Sequence, residues 1–159
     1  PGTSEYFLGK AKKIFATAGF QSAVLNREIE GFILNRLQGA VLREAYRLVD
    51  EGIAEPDDID NVMRLGLGPR WALSGPFETA ELNTPGGIAA HATRMGPAYR
   101  RMGEARGESV EWTPELVERV VRARNKARGD VTISERAAWR SRAVAQLVAI
   151  RDLLTRGVA

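Results

Sequence analysis

The stretch GFILNRLQGAVLREAYRLVD, residues 31–50, has the periodicity of an amphipathic helix. Its apolar residues recur three and four positions apart, a spacing that places side chains on one face of a helix. Gly52 then interrupts the pattern. The stretch therefore predicts a long helix whose apolar face is formed by Leu34, Leu37, Val41, Ala45 and Leu48.

Helical patterns separated by turn residues continue on both sides of this stretch. Thr113-Pro114 has the form of an N-cap followed by proline at the first helical position, and Ser134 is a second candidate N-cap. The sequence predicts an all-α fold with further helices over residues 4–18, 56–66 or 56–68, 77–82, 88–102, 114–128 and 134–154.

One segment does not fit the helical pattern. Residues 21–25, QSAVL, predict a short strand. A single strand cannot form a sheet by itself. We therefore expect this segment either to pack as an extended linker or to have pairing partners outside this chain.

Composition limits the possible classes of protein. A length of 159 residues suits one domain, and 44% hydrophobic with 27% charged residues is typical of a globular protein. The chain has no cysteine and a single histidine, so cysteine-type zinc sites, multi-histidine metal sites and disulfides are excluded. No apolar run reaches the roughly 20 residues of a membrane span. These features predict a cytoplasmic protein without a metal site.

Basic residues concentrate after His91, although the net charge is only +3. The segments Tyr99–Arg101 and Arg122–Arg128 could contact phosphates of nucleic acid or of a nucleotide-bearing ligand. Glu111, Glu115 and Glu118 lie just upstream of the second segment and alternate with Arg119 and Arg122, as mixed charges do on a solvated helix face. We favour the solvated face.

Familiar catalytic motifs do not occur in the sequence. GLGPRW begins with two glycines, but Pro69 and Trp71 follow and a helix precedes it, so it does not match a dinucleotide-binding loop. His91 has no carboxylate at helical spacing to orient it. We therefore interpret His91 as a structural or exposed residue.

Asn35 and Arg70 remain as candidates for binding chemistry. Asn35 lies in the first turn of its helix, where its amide could hold a polarised oxygen or could bond to the backbone. Arg70 could bind a carboxylate or phosphate with Trp71 as a wall, or it could stack on Trp71 at the surface.

Four motifs resemble the C-terminal domain of the 3-hydroxyacyl-CoA dehydrogenase family, in the branch of lambda-crystallin and L-gulonate 3-dehydrogenase. They are EIEGFILNR at 28–36, EAYRLVDEG at 44–52, DDID with Met63, and GPFE at 75–78. The closing sequence RAAWRSRAVAQLVAIRDLL is also similar to that branch.

The resemblance implies a helical dimerisation domain of the 6-phosphogluconate dehydrogenase-like type. It implies that residues 1–28 are the end of an NAD-binding Rossmann domain, and that residues 29–159 form the helical substrate and dimerisation domain. NAD would be bound by the missing N-terminal part, which would also supply a catalytic histidine. This fragment would then hold no cofactor and be inactive alone.

Carried over by position, Asn35 matches the family's active-site asparagine, near the substrate's hydroxyl or keto oxygen. Arg70 resembles an arginine of the lambda-crystallin-like branch, with Trp71 to Ser74 replacing the passage typical of acyl-CoA enzymes. A guanidinium suits a free carboxylate, which a thioester lacks. Arg36 would anchor the domain or point to solvent.

The resemblance therefore implies an NAD-dependent oxidation of the 3-hydroxyl of a small, L-gulonate-like hydroxy acid by a homodimer. The alternative enzyme is an L-3-hydroxyacyl-CoA dehydrogenase of fatty acid metabolism. A stand-alone helical interaction module or a nucleic-acid binder is a third possibility. No recognition motif accompanies the basic segments, so neither nucleic acid nor a membrane is an expected partner.

Overall fold

The computed structural model describes residues 3–107 and 113–155, and all regular structure in these ranges is helical. This confirms the predicted all-α class. In chain order the elements are α1 (Glu5–Thr17), α2 (Phe32–Asp50), α3 (Pro56–Val62), a π-helical turn (Met63–Leu67), α4 (Gly68–Trp71), α5 (Pro76–Leu82), α6 (Gly87–Glu104), α7 (Pro114–Arg128) and α8 (Ile133–Thr155).

Hydroxyl side chains cap the first turns of three helices. Ser4 accepts a hydrogen bond from the amide of Phe7, and Thr113 accepts one from the amide of Leu116. The predicted cap of the last helix, Ser134, is wrong. Thr132 caps it instead, because its hydroxyl accepts from the amide of Glu135 while the Glu135 carboxylate accepts from the amide of Thr132, 2.8 Å away.

The short strand predicted over residues 21–25 is not formed in the described ranges, and the linker alternative agrees with the structure. These residues are extended or irregular chain without a ladder partner in the described ranges. Extended backbone becomes a strand only when a neighbouring strand satisfies its amides and carbonyls. The apolar alternation of QSAVL therefore does not produce a strand here.

The predicted end of the helix at residue 66 or 68 is also wrong, because a π-helical turn connects α3 directly to α4. The amide of Gly68 donates to the carbonyl of Met63, five residues earlier. A Cβ at Gly68 would lie 2.9 Å from that carbonyl oxygen, so the turn requires glycine. Pro69 follows in the first turn of α4, where a missing amide hydrogen does no harm.

The chain divides into two units, Pro1–Ile59 and Asp60–Ala159. The first contains α1 and α2, and none of its described residues is buried. In the second, α5 packs on α6 and α8, α6 packs on α7, and α4 packs on α8. The domain boundary near residue 28 stays a prediction. No helix in the described ranges combines the length and the apolarity that a bilayer crossing needs.

The centre of the second unit combines a small apolar core with buried charge. Leu82, Ile88 and Pro69 are buried apolar residues in the described part of this unit. Beside them the side chain of Glu81, only 3% exposed, binds Arg124 at 3.0 Å and Arg128 at 3.5 Å. These contacts join α5 to α7.

Glu78, one turn before Glu81, extends this cluster to α8. Its carboxylate lies 2.7 Å from Nε of Arg136 and 3.3 Å from Nη2 of Arg124. We call Glu78, Glu81, Arg124, Arg128 and Arg136 the ion-pair cluster. The solvated face expected for residues 122–128 is thus only partly correct. Arg122 is exposed and pairs with Glu118, whereas the side chains of Arg124 and Arg128 are only 17% and 15% exposed.

Replacing Glu81 with glutamine should destabilise the second unit by about 3 kcal/mol, because it leaves the largely buried Arg128 without its carboxylate and leaves Arg124 with Glu78 alone. Urea unfolding followed by tryptophan fluorescence measures this. Glu118→Gln removes an exposed partner of Arg122 and should cost no more than about 1 kcal/mol. Equal losses for the two variants would contradict a central role for the cluster.

Candidate functional site

The second unit contains a pocket of about 510 Å³ between α4, α5, α6 and α7. Its walls are mainly apolar, and a few polar groups face it, which is the usual make-up of a small-molecule site. The polar or ionisable members are Arg70, Asn83, His91 and Tyr99, and the larger apolar members are Leu67, Trp71, Phe77, Ile88, Leu116 and Val120.

Hydrogen bonds fix the backbone that presents Arg70 to this pocket. The carbonyl of Arg70 accepts from the amide of Ser74 at 2.8 Å and from its hydroxyl at 3.0 Å. Thr79 of α5 in turn donates to the carbonyl of Ser74 at 3.1 Å. Ser74 and Thr79 are both buried. The end of α4 is therefore held against the start of α5, while the Arg70 side chain is exposed.

Trp71 lines the same pocket and is 39% exposed. A guanidinium does stack on an indole in the described part of this unit, but that contact joins Arg136 to Trp139, with 3.9 Å from guanidinium carbon to ring centre. It is not a stack of Arg70 on Trp71. The structure thus brings Arg70 and Trp71 to one pocket and leaves the Arg70 guanidinium available at the surface.

Asn35 belongs to the unit Pro1–Ile59 and is described with that unit. It lies in the first turn of α2 and is exposed. Its backbone amide donates a hydrogen bond to the backbone carbonyl of Gly31 at 3.2 Å. Phe32, at the start of the same turn, has φ of 48°, a left-handed conformation that costs a non-glycine residue on the order of 1–2 kcal/mol. Arg36 is exposed, in agreement with the solvent-facing alternative.

His91 is a pocket residue that the sequence did not predict as one. It is half-buried on α6, and its ring centre lies 6.4 Å from that of Tyr99. Burial lowers the pKa of His91 below the ordinary value of 6.5, and the positive charge of Arg94 lowers it further. Near neutral pH the ring is therefore uncharged and suited to an apolar wall. In the sequence, only the spacing of eight residues on one helix could have indicated that His91 and Tyr99 lie close together.

Comparison with known sequences identifies the family. The sequence-family model for the 3-hydroxyacyl-CoA dehydrogenase, C-terminal domain, matches residues 31–131. The chain belongs to this family. The match includes α2, both candidate residues Asn35 and Arg70, and the helices that line the pocket.

Three relatives show the range of the family around this chain. It is 35% identical to lambda-crystallin of Oryctolagus cuniculus, over 95% of this chain and 48% of the relative. It is 32% identical to a 3-hydroxyacyl-CoA dehydrogenase of Gibberella moniliformis, over 96% of this chain and 48% of the relative. It is 31% identical to an L-carnitine dehydrogenase of Oceanobacillus iheyensis, over 92% and 48%. The chain thus spans about half the length of these relatives.

The lowered pKa of His91 predicts a pH dependence of stability. The unfolded chain, with a histidine pKa near 6.5, binds a proton more readily than the folded chain does. Stability contributed by neutral His91 is therefore complete above that value and is lost as the pH falls toward the folded pKa. Urea unfolding at about pH 7.5 and about pH 5.5 should show a smaller loss in His91→Gln than in the wild type. An equal loss in both proteins would contradict the burial effect.

Proposed function

We propose that the protein containing this chain is an NAD-dependent dehydrogenase that oxidises the 3-hydroxyl group of a small hydroxy acid. The observation that carries the proposal is Arg70, an exposed guanidinium on the wall of an otherwise largely apolar pocket. A guanidinium offers two parallel hydrogen bonds to a free carboxylate. A relative named L-carnitine dehydrogenase supports a substrate of this class, because carnitine is itself a small 3-hydroxy carboxylic acid.

The residues described here do not fit a dinucleotide. Dinucleotide sites of this kind use a glycine-rich loop between a strand and a helix, and the described ranges contain no strand. NAD would therefore be held by another part of the full-length protein, and the 159-residue chain alone would be inactive. The role of this chain would be to bind and orient the substrate.

Two side chains of this chain would act on the substrate. Arg70 would pair with the carboxylate and thereby fix one end of the molecule. The side-chain amide of Asn35 would donate a hydrogen bond to the substrate oxygen at which oxidation takes place. Because Asn35 lies in the first turn of α2, the positive end of the helix dipole would also stabilise negative charge on that oxygen. The family match over both residues supports these roles.

An L-3-hydroxyacyl-CoA dehydrogenase is the second candidate, favoured by the relative of that name. A thioester has no free carboxylate for Arg70, so the two candidates differ in what an arginine substitution does. Turnover of 3-hydroxybutyrate, L-carnitine and L-gulonate should be compared with that of 3-hydroxybutyryl-CoA in the full-length protein, by the absorbance of NADH.

Arg70→Gln should raise KM for the free acids roughly tenfold or more, because the charge-assisted hydrogen bonds are lost. Asn35→Ala should lower kcat roughly 100-fold, as expected when one donor to a reacting oxygen is removed. Arg36→Gln, next to Asn35 and also exposed, is the control and should change neither constant. Turnover of the CoA thioester alone, with KM unaffected by Arg70→Gln, would establish the alternative.

We also propose that the chain forms a homodimer through the apolar side chains of α2. Leu34 is 74% exposed and Leu37 is 55% exposed, and such side chains normally lie under a partner surface. Light scattering at micromolar concentration should give twice the 17.4 kDa of one chain. Leu34→Gln should raise the monomer fraction, while Arg36→Gln should not. A monomeric wild type would overturn this proposal.

A further inference from the structure

The pocket between α4, α5, α6 and α7 is larger than a short hydroxy acid needs. Its volume is about 510 Å³, within the range of sites that hold drug-sized molecules. The non-hydrogen atoms of 3-hydroxybutyrate would together fill less than about half of it, at roughly 30 Å³ each, the share of volume that a water molecule has in the liquid. A short acid would therefore leave much of the apolar wall in contact with water.

Large apolar side chains line this pocket and remain partly open to solvent. Trp71 of α4 is 39% exposed and Phe77 of α5 is 60% exposed. Leu116 and Val120 of α7 line the pocket as well and are half-buried. Exposed apolar side chains gathered around one cavity normally mark a surface that a ligand or partner covers. The wall therefore favours an occupant with an extended apolar body.

The charge of the pocket indicates the other end of the occupant. Among the described residues that line it, Arg70 carries the one permanent charge and none is acidic. Burial lowers the pKa of His91, so its ring adds no charge near neutral pH. A carboxylate, the group required by the function proposed above, matches the forked geometry of the exposed Arg70 guanidinium.

Two other classes of occupant fit the pocket less well. A trimethylammonium group, as in carnitine, can lie on aromatic rings. Here it would share the pocket with the Arg70 guanidinium and meet no carboxylate among the described lining residues. A sugar acid would lose the water bound to its hydroxyl groups, and the few polar lining groups, such as Asn83, could not replace all of it. Charge and polarity both favour an uncharged apolar body.

We propose that this pocket binds a carboxylic acid with an apolar body of about six to ten carbons, a length that its volume can hold. The carboxylate would pair with Arg70 and the chain would lie along Trp71 and Phe77. The proposal rests on the function proposed above and narrows its substrate class to 3-hydroxy acids of medium length. The bonds from Ser74 fix the end of α4 that carries both Arg70 and Trp71, so one fixed element would recognise head group and chain.

Calorimetric titration of the 159-residue chain with octanoate tests the proposal without NAD and without turnover. Octanoate should bind at least about thirtyfold more tightly than butyrate, because each additional buried methylene group contributes about fourfold. Octanamide and octyltrimethylammonium, which have a chain of similar length and no negative charge, should each bind at least about tenfold more weakly than octanoate. Equal binding of octanoate and butyrate would overturn the apolar-body assignment. Equal or tighter binding of either compound without negative charge would overturn the role of the carboxylate.

Substitutions separate the two ends of the ligand. Arg70→Gln should weaken octanoate at least about tenfold and leave octanamide unchanged. Arg122→Gln, which removes an exposed charge of α7, should change neither. Phe77→Ala should weaken octanoate at least about fivefold and butyrate less than about twofold, because only the longer chain reaches the ring. Phe20→Ala removes a similarly exposed ring outside the pocket and should change nothing. Wild-type octanoate affinity in Arg70→Gln or Phe77→Ala would overturn the proposal.

Tryptophan fluorescence locates the ligand even if Phe77→Ala does not fold. Saturating octanoate should change the fluorescence of the wild type. The change should disappear in Trp71→Phe and persist in Trp139→Phe, because Trp139 stacks on Arg136 and does not line this pocket. A change that persists in Trp71→Phe would overturn the assignment to this pocket. Octanoate binding that is lost as the chain dimerises would assign the pocket to a second copy and would also overturn the proposal.

Turnover by the full-length protein separates this proposal from the proposed function. The kcat/KM for 3-hydroxyoctanoate should exceed the values for 3-hydroxybutyrate and L-carnitine at least about tenfold, because the longer chain buries more apolar surface. A preference for L-carnitine would overturn this proposal and leave the proposed function standing. Octanoate binding without turnover of any hydroxy acid would refute the proposed function and leave the pocket assignment standing.

Discussion

The second unit depends on carboxylates buried among arginines. Glu81 is almost completely enclosed, and its partners Arg124 and Arg128 come from a helix that follows much later in the chain. Because the buried apolar core there is small, orientation of α5, α7 and α8 rests largely on these directional bonds. Charges removed from water demand partners at defined positions, so the cluster admits few alternative helix arrangements. Other residues of α5, among them Phe77 and Ala80, line the pocket, so the cluster also fixes the helix that forms part of the pocket wall.

Helix positions could be predicted from the sequence because their signals are local. The caps at Ser4 and Thr113, and proline at the first position of α7, act within one turn of the chain. Two predictions of secondary structure failed because short sequence patterns did not determine the structure there. Residues 21–25 lacked a neighbouring strand, and the extra residue of the π-helical turn allowed Pro69 to stand inside continuous helical structure.

The candidate site could also be predicted in part, because only some of its residues are close together in the sequence. Arg70 and Trp71 are adjacent and could be recognised together, and both line one pocket. His91 was interpreted as structural because its helix offered no acidic partner, yet it faces the pocket because of how α6 packs. The basic segment at 122–128 could not be resolved into exposed and buried arginines without knowing where Glu78 and Glu81 lie.

The π-helical turn at Met63–Leu67 has a consequence for how this branch of sequences could diversify. Such a turn holds one residue more than an α-helical turn, so it behaves as a stored insertion. Deleting one residue within the turn would restore regular α geometry, and the side chains of α4 would keep their orientation because the turn alone absorbs the extra residue. The turn is therefore a place where the chain can gain or lose one residue without moving Arg70 away from the wall of the pocket.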